Sequence, residues 1–409
     1  MSTMISVAEA LSRVLASAEN PLEEEKVALS SSYGRVLAGD ISALRIQPPF
    51  PNSAMDGYAV RAADTTPTPA VLTVIGESAA GRAFAGALRS GEAVRIFTGA
   101  PTPDGADAIV IQENVSREGD RIRLSAAAPV GDNLRPAGMD FREGEKLIAA
   151  GRRLTPRDVA LAAAANHTAL AVRRRARVAI LATGDELVPP GGALGPSQII
   201  ASNNFAVAGV VEECGGVAID LGIAVDELGA LKAALDRARE ARADVLLTLG
   251  GASVGDHDLV QQALVGSGME LGFWRIAMRP GKPLMHGRLG AMRVLGLPGN
   301  PTSSMVCAIL FLRPLLRALH GEPDAGADPS EPARLAADLG ANGIRQDYMR
   351  ASLARGADGI LVATPAADQD SSLVKTMARA GGLIIRPPHA APAKAGEACR
   401  VIAFHGLGV

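Results

Sequence analysis

Charge imbalance, cysteine pairs and long unbroken apolar runs are all missing from this sequence, and each absence removes a class of function. With 41 Lys and Arg against 43 Asp and Glu the net charge is -2, so no basic field is available to hold nucleic acid or an anionic membrane surface. Any anionic ligand must be held locally, by single Arg and Lys side chains and by backbone amides. The three cysteines, Cys214, Cys307 and Cys399, are far apart in apolar surroundings, with no C-x-x-C pair and no metal-ligand spacing. They read as buried free thiols in a reducing cytoplasm. The N-terminal MSTMISVAEALSRVL lacks the basic region ahead of an apolar core that a signal peptide carries. The longest apolar stretch, Met305 to Leu316, is interrupted by Arg313 and Pro314 and is expected to be too short to span a bilayer.

What is present is a globular composition, 48% hydrophobic and 21% charged over 409 residues, a length that suggests roughly two to four domains. Residues 1–22 hold a first amphipathic helix, Ser6 to Leu15, and residues 23–46 with 141–175 an extended linking domain. Within the latter, Thr155 caps a Pro-started helix from Pro156 to Ala165. Residues 47–140 change texture to short β-rich runs separated by Gly, Pro and Asp, and predict a β domain. From 176 to 322 the order is strand, helix, strand, helix, strand: Val178 to Ala182, a helix capped by Ser202, Val217 to Val225, Glu227 to Glu240, Asp244 to Leu249. Later strands at Leu271 to Met278 and Met292 to Leu297 precede a long helix from Pro301 to about Leu319. Such alternation predicts a doubly wound parallel sheet with helices on both faces, whose ligands bind at the carboxyl ends of the strands. A Pro-rich linker then leads to a C-terminal β domain over residues 333–409. The fold class expected is thus a multidomain α/β plus β protein.

The densest chemistry lies in Thr248-Leu-Gly-Gly-Ala-Ser-Val-Gly-Asp-His-Asp258. The glycines let the backbone turn sharply behind a buried strand and approach a ligand. Up to Gly255 the loop has the form of a phosphate loop, but Asp256 and His257 stand where that motif needs Lys and Ser or Thr. Carboxylates beside an anion-binding loop suit a bridging Mg2+, which takes one or two carboxylates plus phosphate oxygens. The alternative at this point is a Gly-rich turn with an Asp helix cap. Other loops behind strands carry Asp185, Glu186 and Asp226, and Pro298-Gly-Asn-Pro301 opens the long helix with free amides and the hydroxyls of Ser303 and Ser304. Asp226 on its own also reads as a helix cap. Arg279-Pro-Gly-Lys-Pro283 presents two cations on a loop stiffened by prolines, suited to an oxyanion or phosphate, or else a solvated turn. In the β domain, Asp56-Gly57 reads as a hairpin turn by its chemistry, and the segments holding Thr98, Arg135 and Asp140 are undecided by spacing alone.

Taken together, PPFPNSAMDGYAV, TGAPTPDGADAIV, NLRPAGMDFREGE, ATGDEL, GGASVGDHD, RPGKP and LPGNPTSS, in this order, resemble the MoeA family of molybdopterin molybdenumtransferases, related to the C-terminal domain of the scaffold protein gephyrin. The resemblance runs from about Ser6 to the C-terminus. It implies an enzyme of molybdenum-cofactor synthesis that takes adenylated molybdopterin and molybdate, cleaves the adenylate with Mg2+ and releases AMP. It also implies a homodimer, with the cleft between one subunit's β domain and the partner's central domain, and the molybdopterin adenylyltransferase as a further partner. Carried over, Glu186, Asp226, Asp256 and Asp258 belong to the metal and adenylate-cleavage region. Arg279, Lys282, Pro298, Asn300, Pro301 and Ser304 line the molybdate or pterin-phosphate pocket, with Gly250, Gly251, Ser253 and Gly255 of the glycine loop. Asp56, Thr98, Arg135 and Asp140 come from the β domain. Two departures stand out: Arg279 where many relatives have Lys, and Asp370-Ser-Ser-Leu-Val-Lys-Thr-Met377 in place of a Gly-Ser-rich pattern. The competing functions are a non-catalytic molybdopterin-binding scaffold and a nucleotide pyrophosphatase on the same central fold.

Overall fold

The computed structural model describes residues 4–251 and 259–404. The chain forms two compact units, one of Lys26–Tyr33 and Gly39–Leu170, the other of Met1–Glu25, Gly34–Ala38 and Ala171–Val409.

The first of these contains a six-stranded mixed sheet in the order Ala108–Ile111, Gly57–Val60, Glu92–Ile96, Ala70–Ser78, Arg121–Leu124, Val115–Glu118. Alternating burial along Ala70–Ser78 places Ala70 and Leu72 in a core with Tyr58, Val60, Val110, Ile122 and Leu124, as the two-residue period of a strand requires. The Asp56-Gly57 dipeptide is not the hairpin corner its chemistry suggests. Gly57 begins a strand paired on both sides, with Ile96 and with Ile111, and a Cβ there would fall 2.1 Å from the Val110 carbonyl oxygen. Glycine is needed for that close approach, not for a turn. Thr155 and Asp158 form a reciprocal capping box at the helix Pro156–Ala164.

In the second unit the central sheet runs Val217–Ala224, Arg177–Thr183, Val245–Leu249, Met292–Leu297, Pro283–Leu289, Glu270–Arg275. The first four strands are parallel. Val178, Ile180, Val245 and Leu247 pack with Val207, Val210 and Val211 of the helix Asn203–Glu213, whereas Ala179, Leu181 and Leu246 pack with Leu231 and Leu235 of the helix Leu228–Glu240. Burial on both faces explains why these strands read as continuous apolar runs. The last two strands are antiparallel, against the expectation of a parallel sheet. Pro283–Leu289 turns straight into Met292–Leu297 through Gly290 at φ +61°, a connection too short for a parallel crossover. The expected strand Leu271 to Met278 ends at Arg275, and Met278–Arg279 joins a different sheet.

The N-terminal helix Val7–Ala16, capped by the Ser6 hydroxyl accepting from Glu9 N–H at 3.1 Å, buries Val7, Ala10 and Val14 in the central core. The helix Pro301–Leu319 is, at 19 residues, long and apolar enough by length and composition to cross a membrane, and 67% of its apolar window is buried inside the protein. Its burial therefore marks it as a core helix; the argument from an interrupted, too-short run does not hold. It carries one π-turn, Ala308–Leu312, just ahead of Pro314, whose missing N–H disturbs the ladder there. In the C-terminal domain, Glu331–Leu335, Gln346–Arg355, Leu361–Pro365, Gly382–Arg386 and Ala398–Ala403 pair into a closed ring, and Met278–Arg279 adds in parallel beside Gln346 and Asp347.

Candidate active site at the carboxyl edge of the central sheet

Loops behind the four parallel strands meet at one edge of the central sheet. Gly184 N–H donates to the Ala224 carbonyl at 3.3 Å and Gly250 N–H to the Leu297 carbonyl at 3.2 Å. A Cβ on Gly250 would lie 2.7 Å from the Thr183 carbonyl oxygen, and φ is +98° at Gly250 and +61° at Gly251. Only glycine meets both conditions without strain. The loops enclose a cleft of about 550 Å³ lined by Glu186, Asp226, Gly250, Gly251, Pro298, Asn300 and Pro301, so these seven expected site residues share one space.

Asp226 N–H donates to Asp185 Oδ1 at 3.0 Å. Burial, followed by the like charges of Asp185 and Glu186, pushes the Asp226 carboxyl above its ordinary value. Among the described residues no group of three or more His, Cys, Asp or Glu side chains is gathered to hold a metal ion. Glu186 and Asp226, which line the same cleft, nonetheless fit Mg2+ in donor type: both are hard oxygen donors, and Mg2+ takes one or two carboxylates together with phosphate and water. The expectations for Ser253, Gly255, Asp256 and Asp258 lie outside the described residues.

The C-terminal domain supplies one wall of the cleft. Asn300 Nδ2 donates to Ser371 Oγ at 2.9 Å and Thr302 N–H to the Ser371 carbonyl at 3.1 Å, which brings Ser372 to the lining. Ser372 is itself fixed by Asp370 Oδ1, which accepts from its N–H at 2.8 Å and its hydroxyl at 2.6 Å. Arg279 and Lys282 do not line this cleft, although the adjoining Pro283 does. Arg279 pairs with Asp347 of the C-terminal domain, and the Lys282 carbonyl accepts from Ile276 N–H at 3.1 Å. Ser304 is buried inside the helix behind the cleft, its hydroxyl without a hydrogen-bond partner among the described residues.

In the other unit, Asp56 Oδ1 accepts from both the N–H and the hydroxyl of Thr98 at 2.8 Å. Those two bonds, with the Arg95 charge adding to them, hold the Asp56 carboxyl below its ordinary value. The segments around these residues are tied together: Arg135 pairs with Asn52, Gly99 N–H donates to the Ser53 carbonyl at 2.8 Å, and Asp140 N–H donates to the Gln47 carbonyl at 2.9 Å. Asp56, Thr98, Arg135 and Asp140 thus sit on mutually bonded segments of this unit.

Sequence reasoning missed Asn203, Ile199, Ile200 and Ser372, all of which line the cleft. Asn203 Nδ2 donates to the Gly299 carbonyl at 2.7 Å, while the expected cap Ser202 makes no side-chain cap bond. The unusual Asp370-Ser-Ser segment was the one available signal for Ser372; exposed isoleucines in a polar loop carry none.

A doubly wound domain with a glycine-lined, acid-edged cleft, joined to two β-rich parts, defines the class of molybdopterin-binding α/β proteins. Residues 179–318 match the probable molybdopterin binding domain, residues 5–166 the MoeA N-terminal region (domain I and II) and residues 332–404 the MoeA C-terminal region (domain IV). The chain is 33% identical over 405 residues to the molybdopterin molybdenumtransferase of Haemophilus influenzae, covering 99% of this chain and 100% of that protein. It is 36% identical over 398 residues to molybdopterin molybdenumtransferase 2 of Mycobacterium tuberculosis, covering 95% and 97%. It superposes on the molybdopterin biosynthesis MoeA protein of Pyrococcus horikoshii with a TM-score of 0.84 at 28% identity, over 98% of this chain and 99% of that one. The chain belongs to the MoeA family.

Proposed function

We propose that this chain, a transferase that inserts molybdenum into molybdopterin as its family's name describes, takes adenylated molybdopterin and molybdate and cleaves the phosphoanhydride bond, an oxygen of molybdate or of water forming the new bond to phosphorus as the anhydride breaks, so that AMP is released. The reading is carried by one observation: the Gly250-Gly251 backbone and the acids Glu186 and Asp226 face a common cleft at the strand ends. Glycine-rich backbone behind a parallel strand suits a phosphate. Glu186 and Asp226 would hold Mg2+, which when bound neutralises charge on phosphate oxygens. The residues' own work is to position: Asn300 is held by Ser371, Asn203 by Gly299, and apolar Ile199, Ile200 and Leu187 line the same space, suiting a flat ring. Arg279 and Lys282 are assigned to molybdate or pterin phosphate, together with Ser304, on their charge and hydroxyl chemistry. Three free cysteines support a reducing cytoplasm, and the molybdopterin adenylyltransferase is proposed as the partner that hands on the adenylated substrate.

The assay is AMP release from adenylated molybdopterin by the full chain with Mg2+, with and without molybdate. Molybdate-dependent AMP release together with molybdenum bound to the pterin is expected. Release indifferent to molybdate would identify a pyrophosphatase, and no release a binding scaffold. We propose further that the chain acts as a homodimer in which Asp56, Thr98, Arg135 and Asp140 of one protomer serve the cleft of the other. Mixing Asp56→Asn and Glu186→Gln proteins, each of low but measurable activity, under exchanging conditions should then raise the activity to about one quarter of wild type, since half the dimers are mixed and each has one intact site. No recovery despite exchange would reject the shared site.

A further inference from the structure

We propose that Arg95 is a positioning residue for Asp56, tying both carbonyls of the Asp56-Gly57 dipeptide to one planar cation. The proposal rests on the reading that Asp56 acts on the substrate.

The Arg95 guanidinium lies over two rings at once, 5.1 Å from the Tyr58 centroid and 4.8 Å from that of Phe97. Tyr58 is buried, and it is the direct cross-strand partner of Arg95, so the cation rests on a fixed surface. From there its fork reaches two acceptors. Nη1 donates to the Gly57 carbonyl at 3.2 Å and Nη2 to Gln112 Oε1 at 2.6 Å. Gln112 in turn donates its own N–H to the Asp56 carbonyl at 3.1 Å. One carbonyl of the dipeptide is therefore held by Arg95 directly, the other by the backbone N–H of Gln112, whose side chain Arg95 also holds.

The side chain is fixed from the opposite end of the same arrangement. Phe97, one of the two rings, precedes Thr98, whose N–H and hydroxyl both bond Asp56 Oδ1. No described residue bonds Oδ2, which is left for a ligand. An arginine that merely covers apolar rings explains the stacking, but it does not explain two ties converging on the dipeptide that carries the carboxylate. A lysine offers neither the plane nor the fork.

The experiment uses the full chain in steady state with adenylated molybdopterin, molybdate and Mg2+. Arg95→Gln should lower kcat about tenfold or more, since groups that orient a reacting residue carry effects of that size, and leave KM within about twofold. Arg95→Lys should recover little of the loss. In an Asp56→Asn background Arg95→Gln should add no further loss, because the residue it positions is already gone. Wild-type kcat in Arg95→Gln, full rescue by Arg95→Lys, or an equal further loss in the Asp56→Asn background would each overturn the proposal. Should Arg95→Gln fail to fold by circular dichroism, Gln112→Ala, at an exposed position, removes the side-chain oxygen that holds Nη2 and leaves the backbone bond to Asp56 in place; a smaller kcat loss with unchanged KM supports positioning by the anchored guanidinium and unchanged kcat overturns it. Full activity of Asp56→Asn measured by itself would instead reject the role of Asp56, and the proposal with it.

Discussion

Arg279 Nε donates to Asp347 Oδ2 at 3.0 Å, with Nη2 bonded to the same oxygen. The carboxylate is almost fully buried and the guanidinium about half exposed, at 5% and 55% of their side-chain surface. The bond crosses from the RPGKP loop to the strand Gln346–Arg355 of the C-terminal domain, so that domain decides where Arg279 points. Asp347→Ala should cost about 1–2 kcal/mol in denaturant unfolding, below the cost for a fully buried pair because Arg279 keeps access to water. If Arg279 binds molybdate, the same variant should raise the KM for molybdate more than it lowers kcat; an unchanged KM would separate the loop from the oxyanion.

Asp226 is strained by burial and by its acidic neighbours. A carboxyl whose folded value is raised costs stability at neutral pH, and the cost is relieved as pH falls through that raised value. Asp226→Asn should therefore stabilise the metal-free protein, and only slightly, because the residue is exposed and solvent screens its neighbours' charge. In the wild type, Mg2+ added with AMP should raise Tm, and the variant should lose most of that rise. Thermal scans with and without Mg2+ decide it; an equal Mg2+ response in both proteins removes Asp226 from the ligand set.

His286 lies buried in the strand Pro283–Leu289, stacked on Phe273 with ring centroids 5.3 Å apart, and neither ring nitrogen has a hydrogen-bond partner among the described residues. Burial, with the nearby Arg288 charge, pushes its imidazole down from 6.5 to about 4. The unfolded chain therefore takes up this proton first. The contribution is fully present above pH 6.5 and is lost as pH falls toward about 4, amounting to about 3 kcal/mol. Because carboxylates titrate in the same range, the readout is the stability difference between wild type and His286→Phe, which should shift in favour of the variant by that amount between pH 7 and pH 4. A difference that stays constant with pH would mean His286 is not held neutral.

Gly57→Ala places a methyl 2.1 Å from the Val110 carbonyl oxygen in the middle of the first unit's sheet. Backbone cannot move aside as a side-chain tip can, so the strand pairing must open, at about 2–4 kcal/mol. The neighbouring Asp56 should lose its register with Thr98, and activity should fall with stability. A variant as stable as wild type to urea would contradict the packing described.

What could be read from sequence divides along physical lines. The strands Val245–Leu249 and Arg177–Thr183 were legible because burial on both faces leaves a continuous apolar run, and the helices Leu228–Glu240 and Val7–Ala16 because one face is apolar at helical spacing. Pro283–Leu289 was not, since His286, Gly287 and Arg288 interrupt it and its pairing is set by a turn. The gathering of Glu186, Asp226, Gly250 and Asn300 followed from parallel topology alone, which brings strand-end loops together whatever they contain. Ser372 and the Arg279–Asp347 pair depend on how a distant ring of strands packs against the central sheet, and no local pattern records that. Asp56-Gly57 misled because a dipeptide typical of turns was selected here for lack of a side chain.

The helix Val7–Ala16 carries a further consequence. Its buried face rests on residues near Leu315, Leu316 and Leu319, Leu22 N–H donates to the Leu319 carbonyl at 2.8 Å, and Arg293 Nε donates to the Ser17 carbonyl at 2.9 Å. A ribosome makes this helix some 300 residues before its partners, about 15 to 60 seconds earlier at ordinary elongation rates. During that interval Val7, Ala10 and Val14 have nothing to cover them, while residues 39–170 can already close around their own core. The helix is thus translated well before the surface it covers, and it reaches its native place only once that surface has been made.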